Sequence, residues 1–207
     1  GPIGVKEYLA PYLPVPRIEK DGDQFILNRD YPKSIGRVKG HFGNFGVNVR
    51  AYSYIRAMGP DGLRRASEDA VLNANYLKAR IQDYYDTPYQ NQYSKHEFVV
   101  SANRQVKQGA NAKDIGKRLL DYGVHAPTTY FPLIIEECLM IEPTETESKA
   151  DLDYTADAFI QIAKEVETNP ELVSTAPHRT SVRRLDEVTA SRRPVLTHNP
   201  EAAQAQR

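Results

Sequence analysis

The sequence predicts an α+β fold in which helices cover one face of a small sheet. Three observations carry this. Between residues 94 and 167 the apolar pattern changes period in the order β-α-β-β-α. The helical stretches have clean stripes, such as Leu152, Ala156, Phe159, Ala163 and Val166, while the strand candidates are apolar runs too short for helices. Gly59-Pro60, Gly123 and Asn169-Pro170 punctuate the pattern where elements should stop.

In chain order, residues 1–35 are rich in Pro and Tyr and are read as short strands, with a hairpin-like turn near Asp21-Gly22. Residue 1 is Gly rather than Met, and Ile3-Gly4-Val5 reads as the middle of a strand leaving a glycine turn, so preceding chain is expected. Gly1-Pro2 also fits a protease-cleavage scar. Val47, Ala51, Tyr54 and Met58 fall on one helical face over 46–58, before Gly59-Pro60. A longer helix over about 61–85 carries Leu63, Ala66, Ala70, Ala74, Leu77 and Ile81. His96–Ser101 is a strand. Asn111 caps a helix with Ile115, Leu119 and Tyr122 on one face and Gly123 at its end. Thr128–Pro132 and Cys138–Glu142 are strands, and Ser148 or Thr146 caps a helix over about 148–167. Beyond Asn169-Pro170 the chain reads as polar, basic and irregular, with Glu201–Arg207 disordered by composition. No internal repeat is evident.

At 207 residues the chain holds one domain, or one plus part of another. Its 27 basic and 27 acidic residues cancel, which argues against a general nucleic-acid-binding role. One cysteine excludes an internal disulfide, and a cytoplasmic location is the default expectation. No apolar run approaches the ~20 residues of a membrane span, and no signal-peptide pattern opens the chain. The charge is unevenly placed. Residues 31–60 carry Lys33, Arg37, Lys39, Arg50 and Arg56 and no acid, whereas 136–153 carry seven acids against Lys149 alone. Both fit solvated faces, and the first also fits an anion site or a docked surface.

The histidines at 41, 96, 125, 178 and 198 stand at no zinc spacing, so no metal site is expected. There is no nucleophile elbow and no Walker loop. Cys138, inside an apolar strand, reads as a buried small hydrophobe. The run Gly36 to Gly46 opens onto a helix, where unpaired N–H groups and the dipole favour an anion. Arg37, Lys39 and His41 raise the potential there, and Asn44 can cap the helix or bond a phosphate. Glycine-rich turns before helices more often serve only the turn, which also explains the run. In Asp121 to Thr128, a histidine and a threonine flank an Ala-Pro turn between helix and strand. In Glu142 to Glu147, acids precede a helix and suit its dipole.

Taken together, these segments resemble the pyridoxal-phosphate-dependent glycine decarboxylase of the glycine cleavage system, the P-protein, and in split enzymes the C-terminal portion of its second subunit. The runs that carry the resemblance include Gly1 to Lys6, Lys33 to Arg37, Gly43-Asn44-Phe45-Gly46, Arg50-Ala51-Tyr52, Leu72-Asn73-Ala74-Asn75-Tyr76-Leu77 and His96-Glu97-Phe98. Asp121 to Thr128, Glu142-Pro143-Thr144-Glu145, Arg184 to Val188 and Arg192 to Leu196 complete them. The resemblance implies a fold-type I pyridoxal enzyme, an oxidoreductase of glycine catabolism. It places the end of the large domain at 1–62, the C-terminal small domain at 63–175 and a basic, partly disordered tail at 176–207. It implies pyridoxal 5′-phosphate in the full-length enzyme, held on a lysine upstream of these residues, so this chain carries no catalytic lysine, should not bind the cofactor alone and should be inactive alone. Gly43, Asn44 and Phe45 would lie near the cofactor phosphate across an interface, and His125 and Thr128 near the substrate or lipoyl entrance. The implied partners are subunit 1 and the lipoyl carrier H-protein, in a homodimer or heterotetramer, with no nucleic acid and no membrane. The alternatives are a non-catalytic assembly module and a fragment of another fold-type I enzyme, such as an aminotransferase or cysteine-desulfurase relative.

Overall fold

The structure, a computed structural model, describes residues 3–38, 40 and 42–197. The chain forms two compact units, Gly1–Leu63 and Arg64–Arg207.

In the first unit a 3-10 helix, Glu7–Tyr12, precedes the antiparallel hairpin of β1 (Arg17–Asp21) and β2 (Gln24–Asn28). Asp21 pairs with Gln24, so the turn is Gly22-Asp23. The strand expectation thus holds for the hairpin, whereas Glu7–Tyr12 coils around Pro11. Arg17 ties these pieces together. Its guanidinium donates to the carbonyls of Ala10 (2.7 Å) and Leu13 (3.0 Å) and stacks 3.6 Å from the Tyr31 ring centroid. Such contacts are local and polar, and none of the described residues of this unit is buried.

The helical run α1 (Phe45–Ile81) is interrupted at Gly59, whose φ of 62° and ψ of −177° are non-helical. A side chain there would be strained, and Pro60 suits the first turn of the next helix. The face predicted over 46–58 forms as helix but is not covered: Val47 is 53% exposed, Tyr54 47% and Met58 37%. Helical periodicity records a face meant for cover, and Gly1–Leu63 offers none of its own.

The second unit has a core. Its sheet has the order β3 (Phe98–Ser101), β5 (Cys138–Ile141), β4 (Thr128–Thr129), all antiparallel, with Phe98 opposite Ile141 and Thr128 opposite Met140. A short helix, α2 (Asn103–Val106), precedes α3 (Ala112–Asp121), and β5 leads to α4 (Lys149–Thr168). The expected β-α-β-β-α order stands, with α2 added and β4 cut to two residues. Beyond them the chain leaves the ladder through Tyr130, which has a positive φ of 61°. Asn111 and Ser148 each form a reciprocal capping box, with Asp114 and Asp151. Ala74, Leu77 and Ile81 of α1, Ile115 and Leu119 of α3, and Phe159, Ile162 and Val166 of α4 close on Val100 and Leu139 of the sheet. Each large side chain buried this way contributes about 1.5–3 kcal/mol. Tyr85, fully buried, meets Phe159 edge-on at 5.6 Å and donates to the Phe159 carbonyl.

The segment after Asn169 is more ordered than its composition predicts. It forms α5 (Pro170–Ser174), with Val173 fully buried, and α6 (Glu187–Arg192). Buried carboxylates on α3 hold it. Asp121 accepts the backbone N–H groups of His178 (2.6 Å) and Arg179 (2.7 Å), and Asp114 accepts from Arg184 (2.6 Å). Glu187 pairs with Lys113 and Lys117. A charge count finds basic residues in this stretch but not the acids elsewhere that receive them. The expected disorder of Glu201–Arg207 lies outside the described residues, as do Lys39 and His41.

Candidate functional site

A cavity of about 540 Å³ opens in the second unit where two segments meet. One wall is Gly123–Thr128, the turn from α3 into β4. A second wall runs from Met140, which pairs with Thr128 in the sheet, through Glu142, Pro143 and Thr144 to Glu147. Leu77, Leu152 and Phe159 line it with apolar surface, and Asp151, Tyr154 and Thr155 bring the first turns of α4 to it.

Local rules build the first wall. Gly123, at φ 73°, takes the left-handed position after the helix, and Val124 N–H returns to the Leu119 carbonyl at 3.0 Å. Tyr154 donates to the Tyr122 carbonyl at 2.6 Å, which joins α4 to this wall. Behind it, Glu165 accepts from Arg118 (2.8 and 3.1 Å) and from the Tyr122 hydroxyl (2.6 Å). Burial alone would raise the Glu165 carboxyl, but the bonds from Arg118 and Tyr122 outweigh it and hold the group below its usual value. Burial, then the Glu165 bond, pushes the Tyr122 phenol up to about 12.

The second wall is fastened from α1. The buried Asn73 amide donates to the carbonyls of Thr144 (2.9 Å) and Glu147 (3.3 Å). Thr144 and Thr146 share a hydroxyl bond of 2.6 Å, and Ser148 begins α4. Ser148 rather than Thr146 is therefore the cap. Capping falls to Ser148 and Asp151, while Glu142 and Glu147 face the cavity.

Of the residues singled out in the sequence, His125 and Thr128 both line this cavity and are exposed. Among the described residues, neither side chain has a hydrogen-bond partner, so an imidazole and a hydroxyl remain available to a ligand. Gly43, Asn44 and Phe45 lie in the first unit. Asn44 Oδ1 accepts Val47 N–H at 3.3 Å and so caps the start of α1, Gly43 precedes it at φ 100°, and Phe45 is 81% exposed. Cys138 is fully buried, which raises its thiol, and its Sγ lies 3.0 Å from the Phe131 carbonyl. The sequence reading missed Leu77 and Tyr154 as lining of the cavity and Asn73 as the side chain that binds the Thr144 and Glu147 carbonyls, because these contributions depend on contacts across the fold.

Residues 66–180, which contain both walls, match the family described as glycine dehydrogenase, C-terminal domain. The chain belongs to this family. Among similar proteins of the glycine dehydrogenase group, the probable glycine dehydrogenase (decarboxylating) subunit 2 of Halalkalibacterium halodurans is 61% identical over 198 residues, 96% of this chain and 40% of that protein. Its counterpart from Shouchella clausii is 59% identical over the same shares. That from one Bacillus cereus strain is 59% identical over 202 residues, 98% of this chain and 41% of its own. The chain thus spans about 40% of the length of these relatives. The crystal structure of glycine decarboxylase (P-protein) of the glycine cleavage system, in inhibitor-bound form, superposes with a TM-score of 0.59 over 75% of this chain and 37% of that one. At 19% identity it shows that the glycine dehydrogenase fold is shared. No helix among the described residues is long and apolar enough to cross a membrane.

Proposed function

We propose that this chain is the C-terminal part of a glycine dehydrogenase (decarboxylating) subunit 2. The whole enzyme would decarboxylate glycine with pyridoxal phosphate and pass the aminomethyl group to the lipoyl arm of the H-protein, together with subunit 1. One observation carries the reading. Two of the runs specific to the resemblance, Tyr122 to Thr128 and Glu142 to Glu145, contribute Gly123–Thr128 and Glu142–Thr144 to the lining of one cavity, to which Leu77 at the end of the Leu72–Leu77 run also belongs.

In this reading the cavity is the approach for substrate or lipoyl arm. His125 and Thr128 orient the incoming group by hydrogen bonds, and Leu77, Leu152 and Phe159 accommodate an apolar chain. The acidic Glu142, Glu147 and Asp151 favour an ammonium end over a carboxylate. Gly43, Asn44 and Phe45 would hold the cofactor phosphate. The donor chemistry fits, because the positive end of the α1 dipole lies there, an Asn amide adjoins it, and residues 31–60 contain no acid. When bound, the cofactor supplies the electron sink for loss of carbon dioxide. No lysine of this chain is assigned to it. Residues 1–62 are read as the end of the large cofactor domain, 63–175 as the small domain and 176–207 as a tail. The uncovered apolar surface of the first unit supports this, since such a surface needs cover.

The test uses full-length subunit 2 with subunit 1 and lipoylated H-protein. His125→Gln and Thr128→Val should each lower aminomethyl transfer by about tenfold or more, the loss of one positioned hydrogen bond in a site. Full activity in both variants would remove the cavity from the reaction. Borohydride reduction of this chain mixed with pyridoxal phosphate should fix no cofactor at a unique lysine, and stoichiometric labelling of one lysine would contradict the assignment.

A further inference from the structure

We infer that Asn73 is a positioning residue, setting the rim of the cavity through the backbone of Thr144 and Glu147. The functional part of this inference rests on the reading of the cavity given above. The Asn73 side chain comes from α1, 71 and 74 residues away in sequence from the carbonyls it binds. Its Nδ2 carries two protons, and both are spent on the same short turn, in which Glu147 N–H returns to the Thr144 carbonyl at 3.3 Å. One helical turn further on, Leu77 lines the cavity itself. A single face of α1 thus supplies both part of the lining and the fastener of the rim.

The placement of α4 does not depend on this fastener. Tyr76 and Arg80 of α1 bond Asp153, and Arg80 reaches Asp157 at 2.8 Å. The neighbouring polar residues hold a different loop. Asn75 exchanges bonds of 2.8 and 2.9 Å with the Ser94 backbone, and the buried Lys78 ammonium donates to the carbonyls of Tyr89 (2.8 Å) and Gln92 (2.7 Å). The run Leu72 to Lys78 is therefore a clamp with two jaws. Asn73 closes one on the rim, while Asn75 and Lys78 close the other on residues 89–94. The second jaw provides a control for the first.

Hydrogen exchange followed by mass spectrometry, on this full chain, separates the jaws. Asn73→Ala should speed exchange over 144–148 by about tenfold or more and leave 89–94 unchanged, with Asn75→Ala doing the reverse. Should Asn73→Ala fail to fold, Asn73→Ser keeps a polar group that cannot span both carbonyls and is read in the same way. In the full-length enzyme, Asn73→Ala should raise the KM for lipoylated H-protein by about fivefold while kcat stays within about twofold, as expected when a binding surface is loosened without touching the reacting atoms. Unchanged exchange over 144–148 overturns the inference. Faster exchange with both constants unchanged leaves Asn73 as the fastener of the rim and overturns the reading of the cavity instead.

Discussion

Replacing Asp121 by Asn tests how the segment after α5 is held. The carboxylate is 2% exposed and accepts from Arg118 (2.9 Å) and from the backbone N–H groups of His178 (2.6 Å) and Arg179 (2.7 Å), with His178 Nδ1 at 3.3 Å. Asn keeps the shape but turns one acceptor into a donor facing donors and removes the charge opposite Arg118. Breaking a buried pair costs about 3–5 kcal/mol, and Arg118 retains Glu165, so about 3 kcal/mol is expected from urea unfolding at pH 7. The pH dependence follows from the group's environment. Burial pushes the Asp121 carboxyl up, but the bonds from Arg179, His178 and Arg118 prevail and hold it below its ordinary value. Its stabilisation is therefore complete above the unfolded-state value of about 3.9 and is lost as pH falls from there through the lower folded value. The gap between wild type and variant should stay constant from pH 7 to about 5 and narrow below about 4. Hydrogen exchange over 176–185 should rise in the variant. A gap below about 1 kcal/mol at pH 7, or one unchanged down to pH 3, would refute the reasoning.

Glu165→Gln should lower the Tyr122 phenol from about 12 while leaving it above the ordinary 10, because burial, the larger cause, remains. Ring-labelled tyrosine NMR reads this, and an unmoved titration would mean that Glu165 does not govern the phenol. Phe159→Ala, at a site 1% exposed and in edge contact with Tyr85, should destabilise the second unit by about 3–5 kcal/mol in urea unfolding, with a much smaller loss arguing that the core is loosely packed there. The chain on its own should bind an apolar-surface dye through its first unit. Tyr52→Lys with Ile55→Lys, at sites 66% and 52% exposed, should reduce that signal while changing unfolding free energy by only about 0.5 kcal/mol per site. Undiminished dye binding would place the apolar surface elsewhere.

The elements legible in the sequence were those specified by local chemistry. Asn111 and Ser148 announce their helices because a short polar side chain satisfies orphan N–H groups wherever it stands. The stripe from Leu152 to Val166 is buried as read, since one helix face meets one core. What was not legible depends on partners far along the chain. Residues 170–193 look irregular by composition, yet Asp114, Asp121, Lys113 and Lys117 order them through ion pairs and backbone bonds. The stripe Val47–Met58 shows the converse. Its period was read correctly, but period specifies only that a face is apolar, and burial requires a second surface that Gly1–Leu63 does not contain.

The same distinction explains why the Leu72–Leu77 run can be specific while carrying no reactive group. Leu77 and Ala74 would satisfy any helix–sheet core, and many apolar side chains would serve at their positions. Asn73 and Asn75 cannot be exchanged so freely. Each amide is matched to particular backbone groups, at Thr144 and Glu147 for one and at Ser94 for the other, and an apolar replacement would leave those groups without their partners. A motif of this kind is read most naturally as a gauge between loops. It records where the Glu142–Glu147 wall must stand relative to α1, and hence how wide a cavity His125 and Thr128 can face.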